Sequence, residues 1–329
     1  LVLMRIKLFI GKKDEDSLCC WQQQKVKGVR ISWMNEKERV NMAGIPLPEE
    51  TRVDFIALKV ADLAKVSRWY QDVARLDLLR QNGSTVYLGT RLNQQVLVVL
   101  HEISGLTPQE AVTGLDYFAI LLPNPGALGA AYRIVKQDQA VTKAFQTNYR
   151  QGFLAHDPEG NGVAFTIDRA IEQYQEERQY NWDDEVEQAL DPEEIGKHAV
   201  RDYDRLPSGT AIGYVQFRVA DLQTTSHYLE QGLGFREKAT QVKDEIFLAA
   251  GDYRHHIGIN LRRDPKLFLP TPDMYGLDYV SFILPDKMTM ANILMNLDAA
   301  GLTDYDYHHE NQFLMIAGPN RLTLWFRVA

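Results

Sequence analysis

Apolar and polar residues alternate strictly in one stretch of the second half of the chain. Val215, Phe217 and Val219 are separated by Gln216 and Arg218, which is the two-residue period of a strand with two unlike faces. Asp221 follows, a residue type that often caps the start of a helix, and a helix is predicted over Gln223–Gln231. The pattern therefore predicts a strand that runs directly into a helix.

The same unit occurs 159 positions earlier, where Asp54–Leu63 ends in the same Val-Ala-Asp-Leu as Gly213–Leu222. A second pair of related stretches, Gly114–Pro123 and Gly276–Pro285, follows at nearly the same offset. Related segments in the same order at a nearly constant spacing indicate an internal duplication.

Each leading strand is followed by a helix and further strands. In the first half the predicted elements are the helices Ala64–Val73 and Pro125–Gln137 and the strands Leu78–Gln81, Thr85–Leu88, Gln95–Leu100, Gly152–His156 and Val163–Asp168, with one more strand weakly marked. The second half repeats this order. The predicted fold class is α+β, with four βαβββ modules arranged as two tandem domains.

The domain limits follow from the repeat. We predict domains at 52–171 and 210–329, joined by an acidic connector at 172–209. Aromatic residues in the connector favour an ordered strap over a solvated linker. Residues 1–51 match nothing in the repeat and are predicted to be an extension outside the fold, with an ordered added hairpin as the alternative. We expect residues 1–41 to be dispensable for folding.

Composition narrows the class of protein. The 329 residues are 45% apolar and 24% charged, as in globular domains. A net charge of −8 disfavours nucleic acid as a partner, and no apolar run is long enough to span a membrane. The two cysteines, Cys19 and Cys20, are adjacent, so a disulfide framework is not expected and a cytoplasmic location is. The expected partner is a small molecule, with a homodimer possible.

Several motifs carry a resemblance to a known family. They are Val60–Leu63, Gly114–Pro123, Asp157–Val163, Leu206–Gly213 and Gly251–Asn260. Through them the chain, from about residue 52 to 329, resembles the vicinal oxygen chelate superfamily of glyoxalase, bleomycin resistance and extradiol dioxygenase proteins, in particular the two-domain catechol 2,3-dioxygenase-like branch. The resemblance implies that pairs of modules curl into open cups, with a divalent metal, iron or manganese, held at four inward strand positions.

The residues at the matching positions disfavour such a metal. They are Phe55, Leu97, Tyr117 and Ala164 in the first half, and Tyr214, His256, Tyr279 and Thr323 in the second. An iron oxygenase needs two histidines and one carboxylate on one face, and one histidine among eight positions falls short of that set. We therefore predict no metal-ligating residue.

The second-half cup is the predicted functional site. His256, Tyr214 and Tyr279 are its candidate catalytic residues, because histidine can act as a general base and tyrosine as an acid or hydrogen-bond donor. Aromatic groups converging on a concave surface equally describe a binding pocket, or a filled core. The candidate substrate-binding residues are Gln216, Arg218, Thr323, His308 and His309.

Two functions from different classes remain at this point. The chain could be an enzyme acting on a small aromatic or carbonyl compound, as an extradiol dioxygenase-like oxidoreductase or a glyoxalase-like lyase. It could instead be a metal-free binding or sequestering protein of the bleomycin resistance type. The missing ligands favour the second hypothesis, and the two-domain layout favours the first.

Overall fold

The computed structural model describes residues 44–108, 112–147, 149–169, 187–239, 244–261 and 268–329. Within these ranges no helix is both long and apolar enough to cross a membrane. The fold class agrees with the sequence prediction, because the elements form four βαβββ modules in an α+β arrangement.

The helices and strands follow one order in every module. Module 1 contains β1 (Arg52–Val60), α1 (Leu63–Asp72), β2 (Asp77–Asn82), β3 (Thr85–Thr90) and β4 (Gln95–Glu102). Module 2 contains β5 (Gly114–Leu121), α2 (Pro125–Gln137), β6 (Val141–Gln146), β7 (Arg150–His156) and β8 (Gly162–Asp168). The connector contributes β9 (Gln188–Ala189) and α3 (Pro192–Lys197). Module 3 contains β10 (Ala211–Arg218), α4 (Leu222–His227), β11 (Arg236–Ala239), β12 (Glu245–Ala249) and β13 (Ile257–Asn260). Module 4 contains β14 (Gly276–Leu284), α5 (Lys287–Ala299), β15 (Tyr305–His308), β16 (Phe313–Ala317) and β17 (Thr323–Val328).

Each module helix begins at an acidic or amide side chain that caps it. Asp62, Asn124, Asp221 and Asp286 each accept a hydrogen bond from a backbone N–H in the first turn of the helix, at 2.6 to 2.9 Å. Such caps satisfy donors that have no partner inside the helix. The turn from the first strand into the helix is therefore encoded locally, and four times over.

The four modules form two sheets, and the pairing is nested along the chain. Modules 1 and 4 form sheet I, in the order β15-β16-β17-β14-β1-β4-β3-β2. Modules 2 and 3 form sheet II, in the order β11-β12-β13-β10-β5-β8-β7-β6-β9. In each sheet the two leading strands pair antiparallel at the centre, β1 with β14 and β5 with β10.

This pairing corrects the predicted second-half cup. Tyr214 lies on β10 in sheet II, whereas Tyr279 lies on β14 in sheet I, so modules 3 and 4 do not build one cup between them. The duplication identifies four equivalent modules, and any two of them can pair through their leading strands. The repeat alone therefore does not specify which modules share a sheet.

The two faces of each sheet differ. One face packs under the helices and belongs to a large apolar core that includes Ile56, Phe118, Val215 and Phe282, each fully buried. The opposite face, called the concave face below, carries a separate small cluster in each sheet. Sheet I contributes Phe55, Ala57, Tyr87, Val99 and Tyr279, and sheet II contributes Tyr117, Ala119, Phe145, Ala164 and Tyr214.

Residues 44–51, which the sequence placed in the extension, pack on the fold. The Leu47 side chain is buried, and its backbone N–H donates to the Gly234 carbonyl at 2.9 Å. The Asn296 side chain bonds both the N–H and the carbonyl of Ile45, at 2.7 and 2.9 Å. The predicted boundary at residue 51 is therefore too late. Residues 1–43 lie outside the described residues, and their expected dispensability stays a prediction.

The described part of the connector is an ordered strap. Its strand β9 pairs with β6 at the edge of sheet II, and Ile195 on α3 is buried. Farther along, the Leu206 N–H donates to the Arg75 carbonyl at 3.0 Å. Residues 187–209 thus bear out the strap interpretation, and residues 170–186 lie outside the described residues.

Candidate functional site

Two tyrosines meet at the centre of the concave face of sheet II. Tyr117 comes from β5 and Tyr214 from the paired strand β10, and their rings touch edge to face with centroids 5.9 Å apart. Ala119 and Ala164, a register pair on β5 and β8, lie beside them and are fully buried. Two small residues thus adjoin the two rings in one buried cluster.

Gln216 adds an amide to this face. It is fully buried, pairs in register with Tyr117, and its Nε2 donates to Glu245 Oε1 at 2.6 Å. The side chain lies across Gly258, where an added Cβ would come within 1.9 Å of Gln216 Oε1. That Oε1 accepts no hydrogen bond from any of the described residues. A buried amide oxygen therefore remains available as an acceptor.

Arg150 and His255 bring a charge to the same face. The Arg150 guanidinium, at the start of β7, donates to His255 Nε2 at 2.8 Å and lies 4.5 Å from the centre of the Tyr214 ring. The His255 ring in turn contacts Tyr214, with centroids 4.2 Å apart. Both Arg150 and His255 are 2% exposed. The structure therefore gathers a guanidinium, an imidazole and two phenols at one buried location.

Burial sets the protonation of these groups. It raises the pKa of Tyr214 to about 12, and burial together with the neighbouring Tyr214 raises that of Tyr117 well above its usual value. Burial and the adjacent Arg150 hold the pKa of His255 well below its usual value. At neutral pH both phenols are thus protonated hydrogen-bond donors, and His255 is a neutral acceptor toward Arg150.

His256, the first candidate from the sequence, serves the backbone of a loop. Its Nδ1 accepts the Ala250 N–H at 3.1 Å, and its ring contacts Tyr253 at 4.6 Å. Burial, with Lys238 as a smaller cause, lowers its pKa to about 3. The expectation that His256 is the pocket histidine is corrected, because its neighbour His255 faces Tyr214.

Arg218 is held by structural contacts. Its Nε lies 3.6 Å from Asp116 Oδ1, and one of its terminal nitrogens donates to the Leu115 carbonyl at 2.8 Å. Asp116 Oδ2 also accepts from Asn260 Nδ2 at 3.0 Å. In sheet I the equivalent pair is His101 with Asp278, 2.7 Å apart. These matching contacts pin the central strands of both sheets at the same end.

The other candidates lie in sheet I, away from Tyr214. Tyr279 stacks on Trp325 with centroids 4.2 Å apart, and Trp325 stacks on Phe313 at 5.7 Å. His308 continues this row by stacking on Phe313 at 4.2 Å. The concave face of sheet I therefore carries an aromatic ladder, in which each ring comes from the next strand.

Thr323 and His309 do not join either cluster of rings. Thr323 is half-buried at the first position of β17, and His309 is exposed in the turn after β15. Leu97, assigned to a cup by the sequence, belongs to the helix-covered core. Of the candidate site residues proposed from sequence, only Tyr214 and Gln216 lie together on the concave face of sheet II.

A divalent metal does not fit the side chains of this site. The positions that match the family's ligands in sheet II carry Tyr117, Ala164, Tyr214 and His256, and His255 and His256 make different contacts. Across the described ranges, no group of three His, Cys, Asp or Glu side chains is arranged to hold a metal ion. The facial set of two histidines and one carboxylate is not supplied here.

Sequence reasoning missed Arg150 and His255. The strand containing Arg150 was predicted to begin at Gly152, two residues late. His255 and His256 lie in the loop before β13, which begins at Ile257, so the two-residue period of a strand does not hold for them. The available signal was Arg150 itself, a charged residue at the start of the strand.

Comparison with known proteins agrees with the architecture. No protein-family model matches the chain. A catechol-2,3-dioxygenase from Bacillus subtilis (strain 168) is 29% identical over 258 residues, which are 77% of this chain and 90% of that protein. A candidate dioxygenase structure from Bacillus subtilis strain 168 has a TM-score of 0.55 at 13% identity and covers 84% of each chain. A variant of glyoxalase I from Zea mays has a TM-score of 0.50 at 13% identity and covers 89% of this chain and 96% of its own.

The structural neighbours show the fold, and the sequence relative is named as a dioxygenase. The two curled sheets of this chain match an α+β glyoxalase/dioxygenase-like fold. Sequence and fold together thus support the resemblance to the vicinal oxygen chelate superfamily, of the catechol 2,3-dioxygenase-like kind.

Proposed function

We propose that this chain binds a small aromatic compound on the concave face of sheet II without using a divalent metal. The observation that carries the proposal is the convergence of Tyr117, Tyr214, Gln216, His255 and Arg150 on that face. Rings offer stacking surface, and a few polar groups among them fix orientation, which is the usual composition of a small-molecule site.

The buried amide supports a polar ligand. An acceptor such as Gln216 Oε1 costs about 1–3 kcal/mol when it is buried without a donor. A hydroxyl or amine on the ligand would supply that donor. The two protonated phenols would in turn donate to a ligand oxygen. A phenolic or carbonyl-bearing aromatic compound satisfies both requirements.

The donor set separates this function from ring cleavage. The related Bacillus subtilis protein is named as a catechol-2,3-dioxygenase, and the present side chains do not match the ligand set of an iron oxygenase. The relationship thus supports the kind of compound bound, and the side chains support binding as the activity.

Calorimetric titration with catechol tests the proposal. Protein expressed with iron and manganese supplied should bind catechol equally well before and after EDTA. Tyr214→Phe should weaken binding about 2- to 10-fold, the value of one hydrogen bond. Tyr279→Phe, the matched change on the concave face of sheet I, should leave the affinity unchanged.

Three results would contradict it. Opening of the catechol ring by the iron-supplied protein would show an oxygenase. Loss of binding in EDTA would show a metal-dependent site. Weakening in Tyr279→Phe with none in Tyr214→Phe would place the ligand in sheet I.

A further inference from the structure

The chain contains two Asn-Gly pairs, Asn82-Gly83 and Asn161-Gly162. In such a pair the peptide nitrogen of the glycine can attack the asparagine Cγ, because a glycine has no side chain to obstruct the approach. The attack forms a C–N bond and releases the side-chain nitrogen as ammonia, which leaves a five-membered succinimide ring. A water molecule then opens the ring at either carbonyl, giving aspartate or isoaspartate. The two pairs share this chemistry and differ in what surrounds them.

The first pair lies at the exposed tip of a hairpin. Asn82 ends β2, the outermost strand of sheet I, and pairs in register with Thr85, so Gly83 and Ser84 form a two-residue turn. Gly83 has a φ of +56°, and a Cβ placed on it would meet no atom within 4 Å. The Asn82 carboxamide is exposed, and no hydrogen bond to another described residue holds it. Ring closure requires Asn82 to leave its strand conformation, and the last pair of an edge strand opens locally at low free-energy cost.

The second pair is held in place on every side. Asn161 is 6% exposed, its Nδ2 donates to Asp157 Oδ2 at 2.8 Å, and its backbone N–H donates to Asp157 Oδ1 at 2.9 Å. Gly162 begins β8, which lies between β5 and β7 in sheet II. A Cβ placed on Gly162 would come within 2.5 Å of the Asp116 carbonyl oxygen. Ring closure here would require both bonds to Asp157 and the packing around Gly162 to open together.

We propose that Asn82 is a site of spontaneous deamidation in the folded protein, from which the fold protects Asn161. Either product adds a negative charge at the edge of sheet I. Isoaspartate also lengthens the backbone by a methylene group at the hairpin tip, so the register of Asn82 with Thr85 is lost there. The product is a substrate for enzymes that methylate isoaspartyl carboxylates. The inference is independent of the proposed ligand, because Asn82 lies in sheet I.

Incubation of the folded protein in neutral and in mildly alkaline buffer tests the inference. Peptide mass mapping follows both pairs, and an isoaspartyl methyltransferase measures the isoaspartate formed. Asn82 should convert at least about 10-fold faster than Asn161, because a small local opening exposes only the first pair. Conversion should be faster in the alkaline buffer, since the attacking peptide nitrogen must lose its proton. In urea the two pairs should convert at similar rates, because only the fold distinguishes them.

Two variants assign the signal. Asn82→Gln should remove most of the methylation, because the longer side chain must close a less favourable six-membered ring. Asn93→Gln is the matched control, since Asn93 is exposed in the turn between β3 and β4 and is followed by Gln94, and it should leave the methylation unchanged.

Three results would overturn the inference. An Asn82 that stays intact in the folded protein, over times that convert it in urea, would show that the hairpin protects it. Equal conversion of both pairs in the folded protein would show that the contacts of Asn161 give no protection. Methylation that persists in Asn82→Gln, with a circular dichroism spectrum like that of the wild type, would place the isoaspartate at another residue.

Discussion

On the concave face of sheet II, the position of one polar side chain depends on a single glycine. Gly258 leaves the space that the Gln216 amide occupies, and the two residues are register partners on β13 and β10. A methyl group at position 258 would meet the end of a flexible side chain, so the amide can move only by giving up its bond to Glu245. The position of this polar group is thus set by a neighbour without a side chain.

Gly258→Ala should therefore destabilise the protein by about 1–3 kcal/mol, the range for a lost buried hydrogen bond. In a Gln216→Ala background the same change should cost less than about 1 kcal/mol, because there is no amide left to displace. Urea denaturation of the four proteins of this cycle measures the difference. Equal costs in both backgrounds would show that the clash lies elsewhere.

The free energy of unfolding should also decrease as the pH is lowered, because of His256. Its pKa is lowered to about 3 in the folded chain, against about 6.5 when unfolded. Below pH 6.5 the unfolded chain binds a proton that the folded chain does not, so the unfolding free energy falls as pH drops from 6.5 toward 3.

His256→Gln should remove the contribution of His256 to this dependence, whereas that of the buried His255 should remain. Between pH 7.5 and 5.0 the variant should lose about 2 kcal/mol less stability than the wild type, as measured by urea denaturation at both values. His309→Gln, at an exposed position, is the control for loss of a histidine. Parallel profiles for wild type and His256→Gln would refute the assignment.

Whether the sequence predicts a residue of this site depends on whether that residue lies in a regular strand. Tyr214 and Gln216 lie on a regular strand, and their shared face follows from its alternation. His255 lies in a loop, where no period operates, and only the folded chain shows that it meets Arg150 across 105 positions. Contacts between an irregular loop and a distant strand leave no local pattern to recognise.

At the scale of elements, local chemistry predicts most of the fold. The helix Pro125–Gln137 has the predicted bounds, and α1 is displaced by one residue. The predicted helix Gln223–Gln231 is instead a short α-helix that continues as a wider turn over Tyr228–Gly232. Caps and apolar periods are local, so they survive in the folded protein, while helix ends respond to packing.

The segment 44–51 is an element that no periodicity marks. It is fastened by the two hydrogen bonds between Asn296 and the backbone of Ile45, and by the buried Leu47 side chain. Its attachment depends on a residue far along the chain, because Asn296 lies 251 positions from Ile45. Sequence reasoning had nothing nearby with which to detect it.

Asn296→Ala should release this segment. We expect a loss of about 1–3 kcal/mol, because two backbone groups lose their partner, and faster amide hydrogen exchange at 44–51 than in the wild type. Asn311→Ala, a matched change at an exposed turn position, should alter neither quantity. Unchanged exchange at 44–51 in Asn296→Ala would show that other contacts hold the segment.

At the scale of the whole molecule, the nested pairing decides which pieces can fold. Sheet II is built from modules 2 and 3, which are consecutive in the chain. Sheet I combines modules 1 and 4, which are the first and the last in chain order. The duplication seen in the sequence runs half against half, so it marks the modules correctly but suggests the wrong partners. Pairing is a tertiary choice among equivalent strands.

Fragments test this arrangement directly. A chain of residues 112–261 contains both modules of sheet II and should unfold cooperatively in urea. A chain of residues 210–329 contains half of each sheet and should lack a cooperative transition, since neither β10 nor β14 retains its antiparallel partner. Cooperative unfolding of 210–329 would contradict the pairing.

The nested pairing also determines when each sheet can form during synthesis on the ribosome. On the ribosome β1 emerges early, yet its contacts, such as Asp54 with Ser281, span 227 positions. At about 5–20 residues per second the wait for β14 lasts on the order of 10–45 seconds. Throughout that interval module 1 exposes the open edge of an unpaired strand while the inner pair of modules closes, and unpaired edges invite association with other chains. Newborn copies of this protein should therefore depend on chaperones most while the last module is still being made.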